Sequence, residues 1–133
     1  MTAMKEPRDG YAQALLELGA QHDDVFVLDG DCATPNYTIR FRNAYPERFV
    51  NIGIAECDII GTAAGLSLLG KVPFANAYAN FLTGRGYDQI RVSVAYSQRN
   101  VKIADTTPAP PPPRRGPPTC PWKTSASCAP SLT

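Results

Sequence analysis

FVNIGIAECDIIGTAAGLSLLGKVPF, residues 49–74, decides the fold. A short apolar run reaches Gly53, an acid follows at Glu56, and small residues at Gly61, Ala63, Ala64 and Gly65 recur before Gly70 and Pro73. By periodicity, FVNIG (49–53) is a strand and VPFANAYA (72–79) another. Between them AECDIIGTAAGLSLLG (55–70) reads as a helix with Ile59, Ile60, Ala63 and Leu66 on its inner face. Strand, helix and strand over this length make a βαβ unit, which builds a parallel sheet with helices on its faces. The small residues let the helix lie close to a sheet or a partner helix. Glu56 then sits where a buried strand meets a close-packed helix, and burying a carboxylate is costly unless it is paired or protonated. A Glu in a first helical turn is also favoured by the helix dipole, so spacing alone leaves a structural and a functional role open.

The pattern continues outward. RDGYAQALLELGA (8–20) places Tyr11, Ala14, Leu15 and Leu18 at helical spacing, with Asp9 available as a cap and Gly19 as a stop. VFVLDGD (25–31) is a β-branched, apolar run ending in Gly and Asp, a buried parallel strand with polar residues at its carboxyl end. TPNYTIRFRNAYPERF (34–49) reads as a short helix ending before Pro46, and FLTGRGYDQIRVSVAYSQ (81–98) as a longer one with Tyr87, Ile90, Val94 and Tyr96 inward. NVKIA (100–104) is a fourth strand. The expected fold class is α/β, a parallel sheet flanked by helices. Ligands of such sheets gather beyond the carboxyl ends of the strands. Asp31, Glu56, and Tyr78 with Phe81 all fall at those ends, although Asp31 also suits a plain turn residue. A carboxylate beside aromatic rings suits a flat, nitrogen-containing ligand.

Bulk properties narrow the partners. With 13 Lys and Arg against 12 Asp and Glu, the formal net charge of +1 argues against capture of nucleic acid or a membrane surface. MTAMKEPRDGYAQ lacks the apolar core of a signal peptide, and no apolar run approaches the roughly 20 residues needed to span a bilayer. A cytoplasmic protein is expected. Cys32, Cys57, Cys120 and Cys128 form no C-x-x-C pair and His22 is the single histidine, so no structural zinc site is expected and free thiols are.

These residues resemble the pyrimidine-binding domain of transketolase-like, thiamine-diphosphate-dependent enzymes. The matching blocks are DVFVLDGD (24–31), PERFVNIGIAE (46–56), GTAAGLSLLGKVPF (61–74) and FANAYANFLTGRGYDQIRVSVAY (74–96), in the family's order over about residues 8–104. The style is that of the separate C-terminal subunit of a split transketolase, with 1-deoxyxylulose-5-phosphate synthase as the nearest rival. The resemblance implies that Glu56 hydrogen-bonds N1′ of the cofactor's aminopyrimidine, which promotes loss of the proton from thiazolium C2. It implies that Tyr78 and Phe81 pack around the pyrimidine ring and that Asp31 is the acidic strand-end residue near the cofactor. Arg85 falls where related synthases place a substrate-phosphate arginine. The implied reaction is transfer of a two-carbon ketol unit between sugar phosphates. Gly30-Asp31-Cys32 is not the family's GDG…N motif, since the second glycine is missing and no Asn follows at the usual spacing. Magnesium and the diphosphate would therefore be held by a partner, a diphosphate-binding N-terminal subunit, in a dimer of pairs.

From Asp105 the pattern changes. Nine of the 13 prolines fall within DTTPAPPPPRRGPPTCPWKTSASCAPSLT (105–133). One reading is a proline-rich disordered tail or partner motif, which would make the chain an interaction module. Another is a shifted reading frame. Taking the third base of each codon with the first two of the next, Trp122–Lys123 forces Glu, and the neighbouring pairs permit Leu-Glu-Asp-Ile. Arg115 to Thr119 permits Gly-Ala-Thr-His. All are segments the family would have here. On that reading residues 1–104 are a partial pyrimidine-binding domain, incomplete at its C-terminus and inactive alone, and Cys120, Trp122 and Cys128 have no designed role.

Overall fold

VFVLD forms the strand β1, Val25–Asp29, and is buried along most of its length. Around it the computed structural model, which describes residues 6–104, arranges three more strands: β2 (Phe49–Asn51), β3 (Val72–Asn76) and β4 (Lys102–Ala104). The sheet order is β2-β1-β3-β4, with every pairing parallel. Val25 pairs with Val72 and Asp29 with Asn76, so the two central strands end level. The helices are α1 (Pro7–Gln21), α2 (Ile39–Ala44), α3 (Glu56–Leu68), α4 (Ala79–Arg85) and α5 (Tyr87–Gln89), the last continuing as a π-helical stretch, Ile90–Tyr96. Residues 1–5 and the whole proline-rich segment, with both readings of it, lie outside the described residues.

Alternation along the central strands gives the sheet two apolar faces, as strands covered on both sides require. Val25 and Val27 join Leu15 of α1 and Phe41 of α2 in one core. Leu28 and Ala75 join Ile59, Ile60 and Ala63 of α3 and Leu82 of α4 in the other. The expected inner face of α3 is thus the observed one, with Leu66 at its margin. α1 starts with Pro at its first turn, where a missing N–H costs nothing. It runs past Gly19, which packs rather than stops the helix. A Cβ there would lie 2.7 Å from ring carbons of both Phe41 and Tyr45. Buried Arg48 closes the end of α1, donating from Nη1 to the His22 carbonyl at 2.8 Å and from Nη2 to the Gly19 carbonyl at 2.9 Å.

Two helices differ from expectation. The short helix expected within 34–49 does end before Pro46, but it starts late and forms only as α2, with a 3₁₀ turn at Pro46–Arg48 following. Pro35 has no N–H to give, Tyr37 takes a φ of 60°, and the Thr38 hydroxyl is engaged by Asp29, so 33–38 winds as turns. The 81–98 helix breaks at Gly86, where a Cβ would lie 2.7 Å from the Leu82 carbonyl oxygen. Beyond it the π-helical winding shifts the face. Ile90 and Val94 still pack on the core, but Tyr87 and Tyr96 are 59% and 86% exposed, correcting their inward placement. Tyr96 lies only two residues past Val94, and the Tyr87 ring lies 5.8 Å from the Arg91 guanidinium.

Candidate functional site

The carboxyl ends of β1 and β3 are locked beyond the last strand pair by the Gly30 N–H donating to the Asn76 carbonyl at 2.9 Å. A Cβ on Gly30 would lie 3.0 Å from both Ala77 Cβ and Ile59 Cδ1, so glycine permits this approach. Asp29 is fully buried just before it. Its two oxygens accept from the Cys32 N–H at 2.6 Å and the Thr38 hydroxyl at 2.7 Å, which fixes the loop that follows. Burial pushes the Asp29 carboxyl up, against the lowering effect of those two donors. Across the sheet edge, buried Asn76 donates to the Leu28 and Phe74 carbonyls and accepts the Tyr11 hydroxyl at 2.6 Å. Burial raises the Tyr11 phenol.

Asp31 follows with φ of 62° and stands exposed. The Asn51 side chain ties it to β2: Oδ1 accepts from the Asp31 and Gly53 N–H groups at 3.2 and 2.9 Å, and Nδ2 donates to Asp31 Oδ1 at 3.2 Å. Gly53, at φ 86°, turns the chain toward α3. Glu56 opens α3 and is 5% exposed. Arg85 Nη1 donates to both its oxygens, at 3.1 and 3.2 Å. The Arg85 guanidinium also lies 4.3 Å from the Phe81 ring centroid, and the Phe81 and Tyr78 rings meet edge to face at 6.1 Å and 88°.

Glu56, Arg85, Phe81 and Tyr78 are therefore in one contact chain. Asp31 is held apart from that chain, by Asn51 at the end of β2. The Cys32 thiol is pushed up to about 11, first by burial and then by Asp29, with Asp31 and Glu56 acting in the same direction and a hydrogen bond from the Tyr78 backbone opposing them. Three strand ends thus converge. Asp29, Thr38, Asn76 and Tyr11 were not expected at the site, Tyr11 being expected only on the helical stripe of residues 8–20. The signal was an acid and an amide closing apolar strands, which periodicity treats as strand ends only. Cys32 and Cys57 are free thiols, as expected. Among the described residues no group of three or more His, Cys, Asp and Glu residues could hold a metal ion, and no helix is long and apolar enough to cross a membrane.

Asp29 carries a pH prediction. Its folded-state value is raised above 3.8, so the fold favours the protonated acid. That contribution is complete below about 3.8 and is lost as pH rises through the raised value. Asp29→Asn keeps an acceptor for the Cys32 N–H and carries no charge. Its stability relative to the native chain is expected to increase with pH above 3.8, measured as urea midpoints across a pH series. Parallel profiles for the two chains would refute it.

A near-buried acid and an aromatic pair stand at the carboxyl edge of a parallel sheet covered by helices on both faces, the architecture of an α/β domain. The chain belongs to the family of the transketolase pyrimidine-binding domain, whose profile matches residues 4–123. It is 44% identical over 102 residues to a putative transketolase C-terminal section of Methanocaldococcus jannaschii, covering 77% of this chain and 32% of that protein. It is 39% identical to a 6-deoxy-6-sulfo-D-fructose transketolase subunit of a Clostridium species, over 76% of this chain and 31% of the relative. Human transketolase is 36% identical over 72% of this chain and 15% of its own length. A solved split-gene transketolase, described as an inactive β4 tetramer, superposes with a TM-score of 0.67 at 48% identity, over 74% of this chain and 33% of that one. The chain therefore spans about a third of the length of the split-type relatives.

Proposed function

We propose that this chain supplies the pyrimidine-binding part of a thiamine-diphosphate-dependent transketolase transferring two-carbon ketol units between sugar phosphates. The observation that carries the reading is Glu56: a carboxylate 5% exposed, at the start of α3 and the carboxyl edge of the sheet, paired with Arg85, whose guanidinium lies over the Phe81 ring of the Tyr78–Phe81 pair. A carboxyl in that position fits a ring nitrogen, and two rings set edge to face offer one flat face to a heteroaromatic plane. The cofactor, when bound, supplies a carbon nucleophile and an electron sink for C–C cleavage. Glu56 would share a proton with the ring nitrogen at its carboxyl oxygen. Tyr78 and Phe81 would flank the ring and exclude water, Asp31 would stand at its rim, and Arg85 would meet a substrate phosphate.

The other half of the site lies on a diphosphate-binding partner subunit that holds magnesium, in a dimer of such pairs in the cytoplasm. Relatives named as C-terminal sections and subunits support the two-subunit division. Within this chain the reading takes residues 1–104 as the domain and 105–133 as a proline-rich or out-of-frame segment, the family profile itself running to residue 123. Reading the gene in the alternate frame decides the last point: a family-like continuation there is expected. The test of function is co-expression with a diphosphate-binding subunit encoded beside it, followed by a ketol-transfer assay. Formation of product from pyruvate instead would place the chain with the deoxyxylulose-phosphate synthases. No transfer in any pairing, together with a protein partner bound through residues 108–118, would make it an interaction module.

A related outcome concerns the chain by itself. Because the reading assigns diphosphate and magnesium to the partner, the purified chain is expected to convert no ketose and to bind thiamine diphosphate only weakly by calorimetry. Turnover by the isolated chain would overturn the two-subunit assignment.

A further inference from the structure

Arg85 engages both parts of the proposed ring site at once. Its Nη1 donates to Glu56 Oε1 at 3.1 Å and Oε2 at 3.2 Å, while its guanidinium carbon lies 4.3 Å from the Phe81 centroid. A planar, nitrogen-bearing cation thus occupies the acid and covers the aromatic face that an aminopyrimidine would need. The two partners differ in freedom. The Glu56 side chain is 5% exposed, whereas that of Arg85 is 53% exposed. The peptide unit after Arg85 is held at both its ends, the Arg85 carbonyl accepting from Cys57 Sγ at 3.2 Å and the Gly86 N–H donating to the Leu82 carbonyl at 3.1 Å. The part able to move is the solvent-facing side chain.

We propose that Arg85 is an internal stand-in for the ligand ring, holding Glu56 and Phe81 in the ligand-free chain and leaving when an aminopyrimidine enters. The physical need comes from Glu56, since a carboxylate sealed against protein without a partner is costly. Arginine suits the task because its guanidinium is flat, stacks on aromatic faces and offers fixed donors. Its exposure makes the pair easy to open, because ion pairs open to water contribute little net. An occupied site lowers apparent ligand affinity by the fraction of molecules in which it is free. Arg85, once displaced, is left to face an anionic group.

The proposal rests on the pyrimidine reading, and the experiment separates the two. The full-length chain, Arg85→Ala, Glu56→Gln and the double variant are titrated with 4-amino-2-methylpyrimidine by ligand-observed NMR, with thermal midpoints as a folding control. Arg85→Ala is expected to bind about fivefold tighter than the native chain, the gain expected from releasing a half-exposed pair. The gain is expected to vanish in the double variant, and Arg85→Lys, which cannot stack as a plane, should fall between. Unchanged or weaker binding by Arg85→Ala, with Glu56→Gln still impairing it, overturns the stand-in alone. Binding indifferent to Glu56→Gln overturns both readings. Should Arg85→Ala lower the thermal midpoint, Arg85→Gln replaces it under the same criteria.

Discussion

On the proposed function, Glu56→Gln in the chain co-expressed with the proposed diphosphate-binding subunit is expected to lower kcat for ketol transfer by about 10²- to 10⁴-fold, the range that a positioned proton-transfer group supplies. The substitution keeps the shape of the side chain and an oxygen for Arg85, whose Nη1 now lies within 3.2 Å of both oxygens. What it removes is the ability to share a proton with a ring nitrogen. The thermal midpoint should therefore move little while turnover collapses. A variant retaining native kcat would remove Glu56 from the mechanism. A parallel loss of folding would assign it to structure, as a first-turn acid favoured by the helix dipole.

The largest stability effect is expected on the opposite face of the sheet. Phe41 is among the largest fully buried side chains, packed with Leu15, Val25 and Val27 and facing Gly19 so closely that a Cβ there would meet its ring. Phe41→Ala removes a ring whose neighbours, on α1 and β1, cannot all close over the gap. A loss of about 3–5 kcal/mol is expected, measured by urea unfolding. For a domain of this size that is a fall in Tm of roughly 12–40 °C. Phe41→Leu should recover much of the loss. A Phe41→Ala loss below about 1 kcal/mol, the level of an ordinary surface change, would show that α2 is not anchored there.

The four strands and the α3 core face were legible because two-faced strands and a 3.6-residue stripe write themselves into side-chain order. α2 was overdrawn because its first residues are spent on a side-chain bond, Thr38 to Asp29, that no local period reports. Tyr87 was misplaced because the helix breaks at Gly86 just before it, and Tyr96 because the segment from Ile90 winds as a π-helix, so a continuous period of 3.6 carries the wrong residues inward. At the site, Glu56 was visible as a charge out of place. The buried polar floor was not: Asn76 and Tyr11 pair across 65 residues, and Asp29 is held by the irregular loop that follows it, which carries no period. Arg85 was read as an arm for substrate. Its hold on Glu56 comes from α4 packing against α3, which depends on tertiary structure.

The order β2-β1-β3-β4 has a consequence for how the molecule comes into being. Val25 meets Val72 only after the whole excursion through α2, β2 and α3 has been closed, so the central pair is the least local contact in the sheet. Such pairings are slow, because chain entropy is lost before any contact repays it. Glu56 opens the last helix of that excursion and Arg85 lies beyond β3, so neither a hairpin nor an isolated βα unit can bring them together. They meet only when α4, which follows β3, packs against α3. During synthesis the acid therefore waits for its counter-ion until β3 and α4 have both been added, and the ion pair can serve as a reporter that α3, β3 and α4 have packed.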